Sequence, residues 1–186
     1  MLIRNSVILA AGASRRLGHP KALVEFGGIT LVEKIASTLE KTGLSVTIVT
    51  RPSLETEIRN LIPNADIIVN PDPESGRTGS LQCALRKIGH FPIIMAPVDR
   101  PGFSTKTLEL ICQKDETVCP SRNGRGGHPI AISSSDVGKI LKSPPNTSLR
   151  NIINPRRIEV NDQYLHLNID TLEDYKLLIK VAENLL

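Results

Sequence analysis

Residues 7–21 read Val7-Ile8-Leu9-Ala10-Ala11-Gly12-Ala13-Ser14-Arg15-Arg16-Leu17-Gly18-His19-Pro20-Lys21. The apolar start of this stretch predicts a buried β-strand that leads into a loop of small residues. Small residues let backbone N–H groups approach an anion closely, and Arg15, Arg16 and Lys21 add cationic donors. We therefore expect a polyphosphate site at the first strand-to-loop junction of an α/β domain.

This loop differs from two well-known phosphate-binding loops. It lacks the Gly-Lys-Ser/Thr ending of a Walker A loop, and it lacks the GxGxxG pattern of dinucleotide-binding proteins. The alternative interpretation is an ordinary surface loop whose basic residues are solvated. Small residues, basic residues and a preceding strand coincide here, and this coincidence favours phosphate binding.

The composition fits one soluble domain spanning residues 1–186. Aromatic residues make up only 3% of the chain, so the core is expected to be aliphatic. The net charge of +4 suits an anionic small molecule, and no interleaving of basic and aromatic residues suggests nucleic acid. Because no stretch has membrane-spanning length and no signal-peptide pattern is present, we expect a cytoplasmic protein without a membrane partner.

Strand-like and helix-like segments alternate along the chain, which predicts a three-layer, Rossmann-like α/β/α fold with a mostly parallel central sheet. Two capping boxes predict helices, one opening at Thr30 with Glu33 and one at Thr171 with Asp174. Helices are also expected over residues 54–62, 80–88 and 105–113. Strands are expected over residues 7–10, 46–50, 66–69, 92–97, 117–119, 129–133, 158–161 and, more weakly, 165–169.

Two aspartates follow predicted strands at positions where ligands bind in such sheets. Asp99 comes directly after the apolar run that ends at Pro97, and Asp170 stands where the last strand passes into the C-terminal helix. Carboxylates of this kind hold Mg²⁺ together with substrate phosphates. The alternatives are a turn aspartate before Pro101 and a carboxylate that supports the helix N-terminus.

The residues of the first loop fit the pattern Leu-Ala-Ala-Gly-x-Ser-x-Arg-x-Gly-x-x-Lys, which resembles the signature of the nucleotidyltransferases with a MobA-like fold. Leu9-Ala10-Ala11-Gly12 resembles the molybdenum cofactor cytidylyltransferase branch, because the guanylyltransferase branch typically has a second glycine where this chain has Ala11. Residues 70–81, 97–101, 121–129 and 167–175 extend the resemblance over nearly the whole chain.

The resemblance implies a role for particular side chains. Asp99 and Asp170 are the implied metal ligands for Mg²⁺, and Arg16, Lys21 and Asp99 are the implied catalytic residues. The implied nucleotide-binding residues are Leu9, Ala10, Ala11, Gly12, Ser14, Arg15, Arg16, Lys21, Gly79 and Ser80.

The resemblance also implies an acceptor site in the basic, glycine-rich segment 121–129. Arg125 and His128 are its implied acceptor-binding residues, with His128 as a contact and not as a base. The alternative interpretation of this segment is a hairpin-like surface loop in which His128 caps a strand. Residues 70–81, without the resemblance, are interpreted as a simple loop with a helix N-cap. The chain departs from the family at residues 147–150, where Arg150 is present but the usual Gly-Asp is absent.

The implied reaction is transfer of a nucleoside monophosphate, with CMP favoured, from a nucleoside triphosphate to a phosphorylated pterin, releasing pyrophosphate. Guanylyl transfer and sugar- or polyol-phosphate cytidylyl transfer are the alternatives with the same chemistry. A nucleotide-binding regulator without turnover and, less favoured, a Rossmann oxidoreductase are the alternatives of other classes. A molybdoenzyme or its chaperone is the candidate protein partner.

Overall fold

The strands of the protein form one large sheet and one short hairpin in the computed structural model, which describes residues 3–14 and 16–185. The strands are β1 Asn5–Leu9, β2 Glu25–Phe26, β3 Ile29–Thr30, β4 Ser45–Thr50, β5 Asp66–Val69, β6 Ile93–Pro97, β7 Val118–Arg122, β8 Arg125–Gly126, β9 Ile130–Ile132 and β10 Arg156–Glu159. The helices are α1 Leu31–Glu40, α2 Glu55–Leu61, α3 Gly76–Ile88, α4 Thr105–Ile111, α5 Ser134–Lys142 and α6 Leu172–Leu185.

The large sheet has the order β10-β7-β9-β6-β1-β4-β5, with β8 paired to β7. β1 pairs in parallel with β4 on one side and with β6 on the other, and β9 runs antiparallel to both of its neighbours. The chain builds outward from β1 through β4 to β5 and then returns to place β6 on the opposite side of β1. This reversal puts the crevice at the carboxyl ends of β1 and β6, where such sheets bind ligands.

Both faces of the sheet are covered by helices, so the predicted three-layer α/β fold is confirmed. Ile8 of β1 packs into a core formed with α1, α2, α4 and α6. Its neighbour Val7 points to the opposite face and packs with α3 and α5. Successive strand residues face opposite sides, and burial on both sides explains why β1 is a continuous apolar run.

The two predicted capping boxes are present. The Thr30 hydroxyl accepts from the Glu33 N–H at 3.3 Å, and the Glu33 carboxylate accepts from the Thr30 N–H at 2.8 Å. At α6, the Asp174 carboxylate accepts from the Thr171 N–H at 2.8 Å and the Thr171 hydroxyl accepts from the Asp174 N–H at 3.2 Å. These local bonds satisfy helix N-terminal donors, which is why short sequence patterns predict them.

The strand predicted over residues 165–169 is wrong. Leu165, Leu167 and Ile169 are buried as the alternation required, but their backbone N–H groups bond to turn carbonyls and to Asp99 instead of a neighbouring strand. The alternation therefore reflects side chains packed on the core, without sheet pairing. In addition, α3 begins at Gly76, one turn earlier than predicted, and α5 was not predicted.

Among the helices of the described part of the chain, none is long and apolar enough to cross a membrane.

Candidate active site

A cavity of about 410 Å³ opens at the carboxyl ends of β1 and β6. Its wall combines the loop after β1, the start of α3, the segment after β6 and the segment before α6. The lining residues are Leu9, Ala10, Ala11, Gly12, Ala13, Ser14, Arg16, Lys21, Ala22, Pro73, Gly76, Arg77, Ser80, Pro97, Val98, Asp99, Arg100, Asn168 and Asp170.

The loop after β1 folds back on itself and presents small residues to the cavity. Ser14 adopts a positive φ of 52°, and its hydroxyl accepts a hydrogen bond from the Lys21 N–H at 3.0 Å. Around Gly12 there is open space on the Cβ side. The predicted nucleotide-binding residues of this loop line the cavity, except Arg15, which lies outside the described residues.

Lys21 joins the two predicted metal ligands. Its Nζ donates to Asp99 Oδ2 at 2.9 Å and to Asp170 Oδ1, although Asp99 and Asp170 lie 78 and 149 residues away along the chain. The Lys21 side chain is only 16% exposed, so water screens this contact weakly. The three predicted side chains therefore converge at one point of the cavity wall.

Asp170 forms more side-chain hydrogen bonds and ion pairs than Asp99 does. Its Oδ2 also accepts from Arg16 Nη2 at 3.0 Å and from Asn168 Nδ2 at 2.6 Å. Burial raises the pKa of Asp170, but the hydrogen bonds from Lys21 and Asn168 outweigh it and hold the pKa below its usual value. Asp170 is therefore ionised at neutral pH and able to hold a cation.

Asp99 and Asp170 have the chemistry that a divalent cation such as Mg²⁺ requires. Their carboxylate oxygens already share one cationic group, the Lys21 ammonium, so both face a common position. Across residues 3–14 and 16–185, no group of three or more His, Cys, Asp or Glu side chains is placed to hold a metal ion by itself. Two carboxylates with the remaining positions filled by substrate phosphates is the usual Mg²⁺ arrangement, and the residues present fit it.

Gly79 and Ser80 occupy different places relative to the cavity. Ser80 lines it, and its hydroxyl donates to the Gly76 carbonyl at 3.1 Å while accepting from Asn70 Nδ2 at 3.0 Å. Gly79 does not line it, because its N–H donates to the Pro145 carbonyl at 3.0 Å. Contact of these two residues with a base stays a prediction, and the Gly79 N–H would have to leave Pro145 to make it.

A second cavity, of about 450 Å³, lies beside the first. His128 lines it, as do Gly76 and Arg77, which also line the first cavity. Arg125 lies exposed in β8 and lines neither. The second cavity is completed by Ser75, Thr78, Met95, Ile130, Asn146, Thr147, Ser148, Leu149, Arg150, Ile153, Asn154 and Pro155.

Sequence reasoning gave no role to Arg77, Arg100 and Asn168, which all line the first cavity. Arg100 directly follows Asp99, and Asn168 precedes Asp170 by two residues, so proximity to the predicted carboxylates was the available signal. Arg77 carried a weaker signal, its position at the start of a helix that faces the phosphate-binding loop.

Comparison with known proteins identifies the family of the chain. The model of the MobA-like NTP transferase domain matches residues 6–162. The chain belongs to the MobA-like NTP transferase family. Asp99 lies within the matched residues, whereas Asp170 stands beyond them.

Three curated relatives that resemble the chain carry different names. The chain is 24% identical to the molybdenum cofactor cytidylyltransferase of Escherichia coli (strain K12), over 91% of this chain and 92% of that protein. It is 27% identical to the probable molybdenum cofactor guanylyltransferase of Bacillus cytotoxicus, over 64% of this chain and 62% of that protein. It is 34% identical to the nicotine blue oxidoreductase of Paenarthrobacter nicotinovorans, over 69% of this chain and 70% of that protein.

Solved structures share the fold. Rv0371c from Mycobacterium tuberculosis H37Rv superposes with a TM-score of 0.83 at 23% identity, covering 96% of this chain and 98% of that one. The same protein in complex with manganese gives a TM-score of 0.78 at 20% identity, again over 96% and 98% of the two chains. The MobA-like fold of the chain is thus shown over nearly its full length.

Proposed function

We propose that this chain is a Mg²⁺-dependent nucleotidyltransferase that transfers CMP from CTP to a phosphorylated pterin, molybdopterin or its molybdenum form, and releases pyrophosphate. The observation that carries this proposal is the convergence of Lys21, Arg16, Asp99 and Asp170 beside a loop of small residues. Such a site neutralises a triphosphate, and the described residues that line it include no Cys or His. The E. coli relative, matched over nearly its whole length, favours cytidylyl transfer.

The chain's own groups would hold the donor in a reactive position. Arg16 and Lys21 bind oxygens of the triphosphate, and Asp99 and Asp170 hold the metal ion. The chemistry that the ion supplies when bound is neutralisation of charge on the donor phosphates. Backbone N–H groups of the loop after β1 add donors to the same phosphates.

The group transfer needs no base from the protein. An oxygen of the acceptor phosphate, already deprotonated near neutral pH, attacks the α-phosphorus of CTP and forms a new P–O bond. The bond from the α-phosphorus to the bridging oxygen breaks, and its electron pair leaves with pyrophosphate. Positioning and charge neutralisation are then the main contributions to catalysis.

Pyrophosphate release with Mg²⁺ and molybdopterin tests the proposal, with CTP, GTP, ATP and UTP compared. Release with CTP alone supports cytidylyl transfer. Preference for GTP assigns the chain to the activity named for the Bacillus relative. Binding of CTP without release in the presence of any acceptor, sugar phosphates and polyol phosphates included, would contradict an enzyme and favour a nucleotide-binding regulator.

The relative named as an oxidoreductase supplies a second candidate function of a different class. Titration of NADH and NADPH, followed by their fluorescence, separates it from nucleotidyl transfer. Binding of a nicotinamide nucleotide in preference to CTP would favour the oxidoreductase. We further propose a cytoplasmic location and delivery of the product to a molybdoenzyme or its chaperone.

A further inference from the structure

The wall between the two cavities carries arginine side chains to which the proposed reaction has assigned no role so far. Arg77 lines both cavities, and Arg100 lines the first. Arg77 stands at the start of α3 and Arg100 directly after Asp99, so different elements bring them to this wall. His128 faces the same region from the second cavity.

The guanidinium groups of Arg77 and Arg100 differ from the other cations of the site in having no carboxylate partner. Within the described ranges, neither forms a hydrogen bond or an ion pair, whereas Lys21 and Arg16 are paired with Asp99 and Asp170. The N–H donors of both guanidinium groups thus remain available to an anion at the wall.

His128 does not add to this charge. Its burial, together with Arg100 and Arg77, lowers the pKa of His128 to about 4, although Asp99 opposes the shift. The imidazole is therefore neutral at pH 7 and available as a hydrogen-bonding group beside the two guanidinium groups. The neutral ring adds no repulsion between cations in the ligand-free protein, and its N–H can donate a hydrogen bond to a bound anion.

We propose that Arg77 and Arg100 bind the phosphate of the acceptor at the junction of the two cavities, while the rest of the acceptor occupies the second cavity. This inference rests on the proposed function and names the substrate class of the same site, a phosphate monoester dianion. Guanidinium groups match phosphate geometry through paired N–H donors. Arg125, exposed and lining neither cavity, is then a more distant contributor.

Binding at the junction has two effects on the acceptor phosphate. Positive charge at the junction reduces the repulsion between the acceptor dianion and the triphosphate held by Lys21 and Arg16. The junction also directs an acceptor oxygen toward the first cavity, where the α-phosphate lies in the proposed reaction. Both residues therefore act on acceptor binding more than on donor binding.

Arg77→Met and Arg100→Met test the inference, since methionine keeps an unbranched chain without charge. Arg86→Met is the matched control, because Arg86 is an exposed arginine on the same helix as Arg77 and lines neither cavity. Two readouts are measured. One is the KM for molybdopterin in pyrophosphate release, and the other is the Kd of inorganic phosphate in calorimetry. The calorimetry is done with Mg²⁺ and a CTP analogue that has a methylene group between its α- and β-phosphorus atoms.

We expect each variant to raise the KM for molybdopterin and the Kd of phosphate about tenfold or more. Affinity for the CTP analogue should stay within about twofold of wild type, and Arg86→Met should change neither readout. Equal loss of affinity for the analogue would show that the arginines hold the triphosphate and would overturn the inference. Unchanged phosphate binding, or none in the wild type, would also overturn it.

The two readouts separate failure of this inference from failure of the proposed function. Turnover in the wild type together with unchanged acceptor KM in both variants refutes the arginine assignment alone. Absence of pyrophosphate release from the wild type with every nucleotide refutes the proposed function. Loss of phosphate binding in the variants would even then support the anion site.

Discussion

At the scale of single residues, Lys21 has two distinct effects on the site. Its ammonium group bridges Asp99 and Asp170, the position where a divalent cation would compete with it. It is also a proposed ligand of the triphosphate. A bound nucleotide is therefore expected to draw Lys21 away from the carboxylates and make room for the cation, so that nucleotide and metal should bind together.

Lys21→Met is expected to separate these effects. Turnover should fall about 100- to 1,000-fold, or roughly 3–4 kcal/mol of transition-state stabilisation. Affinity for Mn²⁺ without nucleotide, followed by electron paramagnetic resonance, should rise because a competing cation has been removed. Lys87→Met, which alters only an exposed ion pair with Asp66, is the control. Unchanged turnover would contradict the phosphate-binding role of Lys21.

His128 is expected to make stability depend on pH. Because its pKa falls from 6.5 to about 4 in the folded protein, the unfolded chain takes up the proton first as the pH decreases. The stability that neutral His128 contributes to the folded protein is complete above about pH 6.5, and it is lost progressively as the pH falls toward 4. At pH 5 the loss amounts to about 2 kcal/mol.

Urea unfolding of wild type and His128→Asn at pH 8 and pH 5 checks this expectation. The variant should lose about 2 kcal/mol less on acidification than the wild type. His90→Asn, at an exposed histidine, should behave as the wild type does. Equal acid sensitivity of His128→Asn and wild type would disprove a neutral, half-buried His128.

At the scale of elements, the segment before α6 packs against the segment after β6 and so brings Asp170 to Asp99. The Ile169 N–H donates to the Asp99 carbonyl at 3.0 Å. A Cβ at Gly102 would collide with the backbone carbonyl of Tyr164, so this approach requires glycine. The position of Asp170 beside Asp99 therefore depends on a close contact between two loops.

Gly102→Ala is expected to reduce the free energy of unfolding by about 3 kcal/mol, because backbone at Tyr164 must move. Gly138→Ala is the control in α5, where a Cβ meets open space. That change should increase stability by about 0.5–1 kcal/mol. Denaturant midpoints measure both, and equal stability of the two variants would argue against the close packing at Gly102.

At the scale of the whole molecule, the site joins residues from early and late parts of the sequence, so ligand binding should stabilise the entire fold. Saturation with CTP and Mg²⁺ at 100 times Kd should add about 2.7 kcal/mol to the free energy of unfolding. Asp99→Asn should retain the stabilisation by CTP alone but lose the part that needs Mg²⁺. Thermal unfolding with CTP, with Mg²⁺ and with both distinguishes these parts, and an intact Mg²⁺ effect in the variant would exclude Asp99 as a ligand.

The sequence by itself determined the class of fold, the loop after β1 and the two capping boxes. Each of these depends on local information, either the periodicity of apolar residues or a hydrogen bond between residues three apart. The strand wrongly predicted over residues 165–169 shows the limit of such information. Alternating burial has the same sequence pattern whether or not the backbone pairs with another strand.

Only the tertiary structure decided which charges meet. Lys21 contacts carboxylates 78 and 149 residues away, and the partners follow from the strand order that places β6 next to β1. The same packing leaves Arg77 and Arg100, among the residues that the structure describes, without an ion-pair partner at the wall between two cavities. The energy of a charge depends on its distance to other charges and on its burial, and neither quantity is encoded in local spacing.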